Sequence, residues 1–288
     1  MKSLAMIPLS LCLAVACTPS ETPASPDTAN AATSATPPSS APTVTAPAPA
    51  PVATPIASAK VAPERPGDTI QTAKGDLRII PIHHGSVLFE LGGKAYYVDP
   101  FHEGNFDGLP KADVVFITHA HPDHLDPALL EQIRKPATVI VAPPSVAEKL
   151  PLGYSGTVVM KNGDNQTVGD VGVEAVPMYN LKRGPSAGKL FHEKGWGDGF
   201  VLTLGNERIY LSGDTECTPE MRALKNIDIA FVCMNLPYTM PPSEAAECIK
   251  AFKPKILYPY HYRNSDLGDL DKALAGQTGI EVRKREWY

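Results

Sequence analysis

The chain has 288 residues, with 26 Lys and Arg against 31 Asp and Glu for a formal charge of −5, and it carries no basic block, which argues against nucleic acid as a partner. Its 30 prolines are about twice the usual share of roughly 5%. Twelve of them fall between Thr18 and Pro66, a stretch built mostly from Ala, Thr and Ser, which lacks the large apolar side chains needed to offset the entropy of ordering.

In chain order, residues 1–17 read as an address. Lys2 supplies a short positive region, Leu4 to Val15 an apolar stretch too short to span a bilayer, and Ala14-Val15-Ala16-Cys17 places small residues before a cysteine. This resembles the bacterial lipoprotein signal, which implies a lipidated Cys17, a membrane anchor and a location facing the periplasm or cell exterior. An ordinary secretory signal cleaved near Ala16 is the alternative. Residues 18–66 are then expected to be a disordered Pro/Ala/Thr/Ser-rich linker, leaving residues 67–288 as one α/β domain by length.

Within that domain, short β-branched runs predict strands at Leu77–Ile82, Ser86–Leu91, Ala95–Asp99, Val114–Thr118, Thr138–Ala142, Thr157–Met160, Gly172–Pro177, Phe200–Leu204, Glu207–Leu211, Ile227–Cys233 and Ile256–Tyr260. Apolar periodicity predicts helices at Pro127–Arg134, Ser145–Leu150, Pro219–Leu224, Ser243–Phe252 and Leu267–Ala275. Hairpin signals dominate early and strand-to-helix alternation takes over in the last third, so two mixed sheets covered by helices satisfy both patterns. The β-rich half followed by an α/β half is loosely duplicated in plan. Cys217, Cys233 and Cys248 are odd in number and lack CxxC spacing, suggesting neither a zinc knuckle nor a disulfide framework; Cys233, inside an apolar run, reads as a buried strand residue.

The strongest feature follows the apolar run Val114-Val115-Phe116-Ile117. In Thr118-His119-Ala120-His121-Pro122-Asp123-His124-Leu125-Asp126, three of the chain's eight histidines and a carboxylate fall within six residues. That is the composition of a transition-metal site at a strand's carboxyl end. His-x-His-x-Asp-His in this setting resembles the signature of the metallo-β-lactamase superfamily. His84-Gly85-Ser86, Asp99-Pro100, Gly213-Asp214-Thr215 and His261 match in order, so the resemblance spans residues 77–265. It implies an α/β fold, a four-layer αββα sandwich of two mixed sheets with outer helices. Asp-His-Leu-Asp at 123–126 and Tyr238-Thr239-Met240 before a helix are similar to the branch containing L-ascorbate-6-phosphate lactonase and N-acylphosphatidylethanolamine phospholipase D.

By that resemblance, His119 and His121 match ligands of a first metal, Asp123, His124 and His261 those of a second, and Asp214 the bridging carboxylate. Asp99 is implied to fix the tautomer of a ligating histidine, with His84 and Tyr238 also close to the site. One departure stands out: where the family usually supplies a third histidine to the first metal, this chain reads Met178-Tyr179-Asn180. Either Asn180 ligates through its oxygen or through water, or His192 reaches in from the following loop; a single metal held by Asp123, His124, Asp214 and His261 is the remaining outcome. Zinc, with two ions expected, fits the mixed N/O donors, and manganese is the alternative. The implied function is a metal-dependent hydrolase in which metal-bound hydroxide attacks a lactone, ester or phosphodiester, ahead of a β-lactam, with a small-molecule or lipid-like substrate; Asp123 would also orient the nucleophile. The departure at Asn180 motivates the rival reading, a metal-binding or sensing lipoprotein with little catalysis.

Overall fold

Strands β1 (Asp68–Thr72), β2 (Gly75–His83), β3 (Ser86–Leu91) and β4 (Lys94–Val98) pair antiparallel in chain order. The same sheet continues in parallel through β5 (Ala112–Phe116), β6 (Arg134–Ala142) and β7 (Thr157–Val159). The second sheet repeats the plan. Strands β8 (Asn165–Val168), β9 (Val171–Met178), β10 (Gly197–Leu204) and β11 (Glu207–Leu211) are antiparallel neighbours, and β12 (Ile229–Cys233), β13 (Ile256–Tyr260) and β14 (Glu281–Val282) extend the sheet in parallel. Each sheet therefore runs in strict sequence order, and the duplication read from the sequence falls at the boundary between the two sheets. The structure is a computed structural model and describes residues 66–288 apart from Leu152 and Ser155. The expected signal at 1–17 and the expected linker, as far as residue 65, lie outside the described residues.

Parallel pairs need crossovers, and helices supply them: α1 (Pro127–Ile133) after β5, α2 (Pro144–Ala147) after β6, α3 (Pro219–Arg222) after β11, α4 (Pro242–Phe252) after β12 and α5 (Leu267–Leu274) after β13. Period-two alternation divides the first sheet's side chains between two cores. Phe89, Tyr96, Val98, Val114 and Phe116 join Phe200, Leu202, Leu211 and Phe231 of the second sheet. Leu88, Tyr97, Val115 and Ile117 instead join Leu129, Leu130 and Ile133 of α1. Asp126 caps α1 by accepting from Leu129 N, with Pro127 in the first turn. Four layers result, two mixed sheets with helices outside, as the resemblance implied.

Three strands escaped the sequence pattern. β1, β8 and β14 carry the sequences DTIQT, NQTV and EV and lie at sheet edges, where one side of the strand faces water and apolar alternation is not required. A second correction concerns the cysteines. Cys217 and Cys248 form a disulfide, their Cα atoms 5.5 Å apart and 31 residues apart in sequence. It joins the loop before α3 to α4, a meeting set by the crossover rather than by cysteine spacing. Cys233 is free and buried in β12.

Candidate metal centre

The candidate residues gather where strands end. Asp99 follows β4, the 119–126 loop follows β5, Asn180 follows β9, Asp214 follows β11, His261 follows β13, and His84 sits in the turn between β2 and β3. His84, Asp99 and His261 hold left-handed backbone, with φ of 55°, 41° and 45°. Such strain costs on the order of 1–3 kcal/mol per residue and persists where surrounding structure enforces it, commonly at working sites. Glycine keeps other backbone close: a Cβ on Gly197 would lie 2.9 Å from the His119 Cβ and 3.0 Å from the Thr118 carbonyl oxygen.

Two clusters of donor atoms share Asp214. In the first, His121 Nδ1 lies 3.1 Å from His119 Nε2 and 3.2 Å from His192 Nε2, and His192 Nε2 is 3.7 Å from Asp214 Oδ2. In the second, Asp214 Oδ1 lies 3.5 Å from His124 Nε2 and 3.2 Å from His261 Nε2, while Asp123 Oδ2 is 3.9 Å and 3.7 Å from the same two nitrogens. Donors around a tetrahedral zinc at ~2.0–2.1 Å are separated by about 3.3 Å, so both clusters have the right spacing for an ion. His124 Nε2, His261 Nε2 and Asp214 Oδ1 are buried without any hydrogen-bond partner. Buried polar atoms left this way call for an explanation, and a cation at their focus provides one.

The opposite ring edges explain the orientation. Asp99 accepts from Thr118 N–H and from the Thr118 hydroxyl, each at 2.7 Å, and from His124 Nδ1 at 2.8 Å. Having donated its hydrogen to Asp99, Thr118 Oγ1 can only accept from His119 Nδ1, 2.9 Å away. Asn180 Oδ1 accepts from His192 Nδ1 at 2.7 Å and from the His192 backbone N–H at 2.8 Å. In all three rings a hydrogen sits on Nδ1, so Nε2 is the nitrogen turned toward the cluster, the edge a metal would take.

Electrostatics follow the same division. Burial pushes His192 down to about 4 and lowers His119 and His121 as well, keeping these rings neutral and able to ligate. Burial also opposes charge on His124, but the carboxylates of Asp99, Asp214 and Asp123 outweigh it and raise the ring to about 9. For Asp123 and Asp214, burial works upward and the neighbouring histidines more than reverse it, so both carboxyls are held below the usual range.

A protein-family description, the β-lactamase superfamily domain, matches residues 78–261. The chain belongs to that family. It is 33% identical over 190 residues to a UPF0173 metal-dependent hydrolase of Thermococcus onnurineus, covering 62% of this chain and 82% of the relative. It is 30% identical to a UPF0173 metal-dependent hydrolase of Opitutus terrae, covering 72% and 96%. Among solved structures it is similar to a protein of Parabacteroides distasonis described as a metal-dependent hydrolase, with 41% identity, a TM-score of 0.72, and coverage of 78% of this chain and 100% of that one. The protein is thus an enzyme, a metal-dependent hydrolase of the β-lactamase superfamily.

Of the residues singled out in the hydrolase's sequence, His119, His121, Asp123, His124, Asp214 and His261 converge, with Asp99 behind them. Between the two candidates for the missing position, His192 joins the first cluster and Asn180 does not. The Asn180 amide is turned away, its Nδ2 donating to Glu216 Oε1 at 3.2 Å and to the Tyr238 carbonyl at 2.9 Å. Tyr238 accordingly acts through its backbone, while its side chain is 47% exposed and packs edge-on to Phe191 at 5.1 Å. His84 is buried against Asp123, its Nε2 3.0 Å from Oδ2. Sequence reasoning missed the part of Thr118, although it opens the motif, and that of Tyr288, which touches His84 from 204 residues away. Trp196 stands 4.7 Å from the His121 ring and 5.5 Å from His119, walling one side of the first cluster.

Proposed function

We propose that the enzyme hydrolyses a lactone, ester or phosphodiester that carries an apolar group, with two metal ions held by the paired clusters. The carrying observation is the convergence of His and Asp donor atoms on two foci that share the Asp214 carboxylate, with His124 Nε2, His261 Nε2 and Asp214 Oδ1 of the second left buried and unpartnered. His119, His121 and His192 would hold the first ion, Asp123, His124 and His261 the second, and Asp214 both. Three imidazoles favour zinc in the first position, with manganese the alternative. When bound, such ions supply a water acidic enough to ionise near neutral pH and polarise a carbonyl or phosphoryl oxygen. Asp123, with a side chain 31% exposed, faces the open side of the centre, where it would orient the attacking water and pass its proton toward the leaving group.

Leu181, Leu236 and Tyr238 are each about half exposed. They lie on the two loops joined through the Asn180–Tyr238 hydrogen bond, and Phe191 packs onto Tyr238. An apolar rim of this kind suits a lipid-like or aryl-bearing substrate. Attachment through a lipidated Cys17 would place the enzyme outside the cytoplasm. The Cys217–Cys248 disulfide supports that location, because such bonds persist in oxidising compartments. The sensing alternative loses its motive, since His192 offers the imidazole that position 180 lacks.

The test is a panel of lactones, carboxylic esters and phosphodiesters with short and long acyl chains, assayed with zinc or manganese alongside metal analysis. Turnover that depends on metal, favours longer chains and disappears in Asp214→Ala is expected. Full activity after exhaustive chelation, or an unaffected Asp214→Ala enzyme, would overturn the reading.

A further inference from the structure

We propose that Tyr288 is a positioning residue of this centre: its hydroxyl fixes the ring of His84, which in turn holds the Asp123 carboxylate toward the second cluster. The inference rests on the dinuclear reading above and extends it to a residue outside every motif of the sequence.

The direction of each hydrogen bond follows from valence. A carboxylate only accepts, so at the 3.0 Å contact with Asp123 Oδ2 the hydrogen belongs to His84 Nε2. A neutral imidazole carries one N–H, which makes His84 Nδ1 an acceptor needing a donor. Tyr288 Oη lies 2.9 Å from that nitrogen. The same oxygen accepts from the Arg263 backbone N–H at 2.9 Å, which occupies a lone pair and leaves the hydroxyl hydrogen for His84. The relay therefore runs from Arg263 N–H to the Tyr288 hydroxyl, then through the imidazole to Asp123.

The backbone is tied along the same line. His84 N donates to the Trp287 carbonyl at 3.0 Å, and His261 N donates to the His84 carbonyl at 3.0 Å. Trp287 is 1% exposed and packs 5.9 Å from the Tyr260 ring, anchoring the segment that presents Tyr288. His84 is itself fully buried and held at positive φ, so a ring freed from Tyr288 has lost the contact that selects its orientation. Tyr288 is half exposed, yet its hydroxyl is turned inward between two partners. Apolar packing would not select that geometry, since it satisfies the ring and is indifferent to the hydroxyl.

The experiment compares the full chain with Tyr288→Phe, which keeps the ring, and with Tyr262→Phe as a matched control. The Tyr262 ring lies 5.3 Å from that of Tyr288, but its hydroxyl points to the Arg285 carbonyl. In metal-free protein, long-range imidazole ¹H–¹⁵N spectra should show His84 as the Nε2–H tautomer in wild type and Tyr262→Phe, and as a mixture in Tyr288→Phe. In zinc titrations against a chromogenic chelator, Tyr288→Phe should weaken one of two equivalents by about tenfold, the lower end of the loss seen when partners behind a ligand are removed. An unchanged tautomer together with unchanged zinc affinity in Tyr288→Phe would refute the assignment. So would equal weakening of both equivalents with a lowered melting temperature, the mark of a general packing defect. A wild-type chain that takes up fewer than two equivalents counts against the dinuclear reading, and the metal-free spectra still decide the role of Tyr288.

Discussion

Replacing Asn180 by alanine should weaken the first metal site although the residue touches no ion. The wild-type amide oxygen takes both the His192 Nδ1–H and the His192 backbone N–H. Its nitrogen bonds Glu216 and the Tyr238 carbonyl. Without that oxygen the His192 ring has no reason to keep its hydrogen on Nδ1, and part of the population presents N–H instead of a lone pair to the cluster. Loss of such a partner typically lowers metal affinity 10–100-fold, equivalent to about 1.4–2.7 kcal/mol. Buried groups left unpaired cost about 1–3 kcal/mol each, so melting should fall as well. The assay is zinc titration against a chelator for wild type, Asn180→Ala, His192→Ala and the double variant. If Asn180 acts through His192, its substitution should cost almost nothing further once His192 is gone. Equal losses in both backgrounds would refute the mechanism, as would wild-type affinity in Asn180→Ala. The same reasoning reverses what the family pattern suggests: Asn180→His should lower first-site affinity, because it removes the acceptor on which His192 depends.

Three further outcomes are expected. Asp99→Asn would place an amide N–H₂ against the donors of Thr118 and His124, so second-site zinc affinity should drop 10–100-fold by the same titration; unchanged binding would argue against Asp99 as the orienting group. Asp198 is fully buried, with one carboxylate oxygen lacking any donor, and burial raises it to about 7, with Asp164 adding to the shift and the Asn162 amide opposing it. The native state then holds a proton that the unfolded chain releases near pH 4, so stability should fall as pH rises from about 4 and level off above 7, by at most roughly 4 kcal/mol. Asp198→Asn should flatten that part of the profile in urea melts at stepped pH, and an identical slope in the variant would count against this account. Finally, the Cys217–Cys248 bridge closes a 31-residue separation, for which chain-entropy arguments give about 3–4 kcal/mol. Cys217→Ala/Cys248→Ala should therefore melt roughly 6–16 °C lower by calorimetry, whereas a shift within error would show that the bridge contributes nothing measurable.

Much of this enzyme could be read from the sequence because its decisive features are local. The hairpin and crossover strands carry their own apolar alternation, and α1 its own apolar periodicity. Three histidines and a carboxylate between His119 and His124 follow one buried strand, so their convergence needs little more than a tight loop. The edge strands β1, β8 and β14 were invisible because half-solvated backbone imposes no apolar pattern. What the tertiary structure decided are meetings between distant segments. Of the two alternatives left open for the first cluster, His192 is the one that reaches it, because the loop after Asn180 folds back, bringing the imidazole to the cluster and leaving the amide as its acceptor. Cys217 reaches Cys248 across a crossover, and Tyr288 reaches His84 across nearly the whole domain. Sequence specifies which chemical groups are present and the local shape around each; which lone pair faces a metal depends on the acceptor behind the ring, and that acceptor is supplied by the fold.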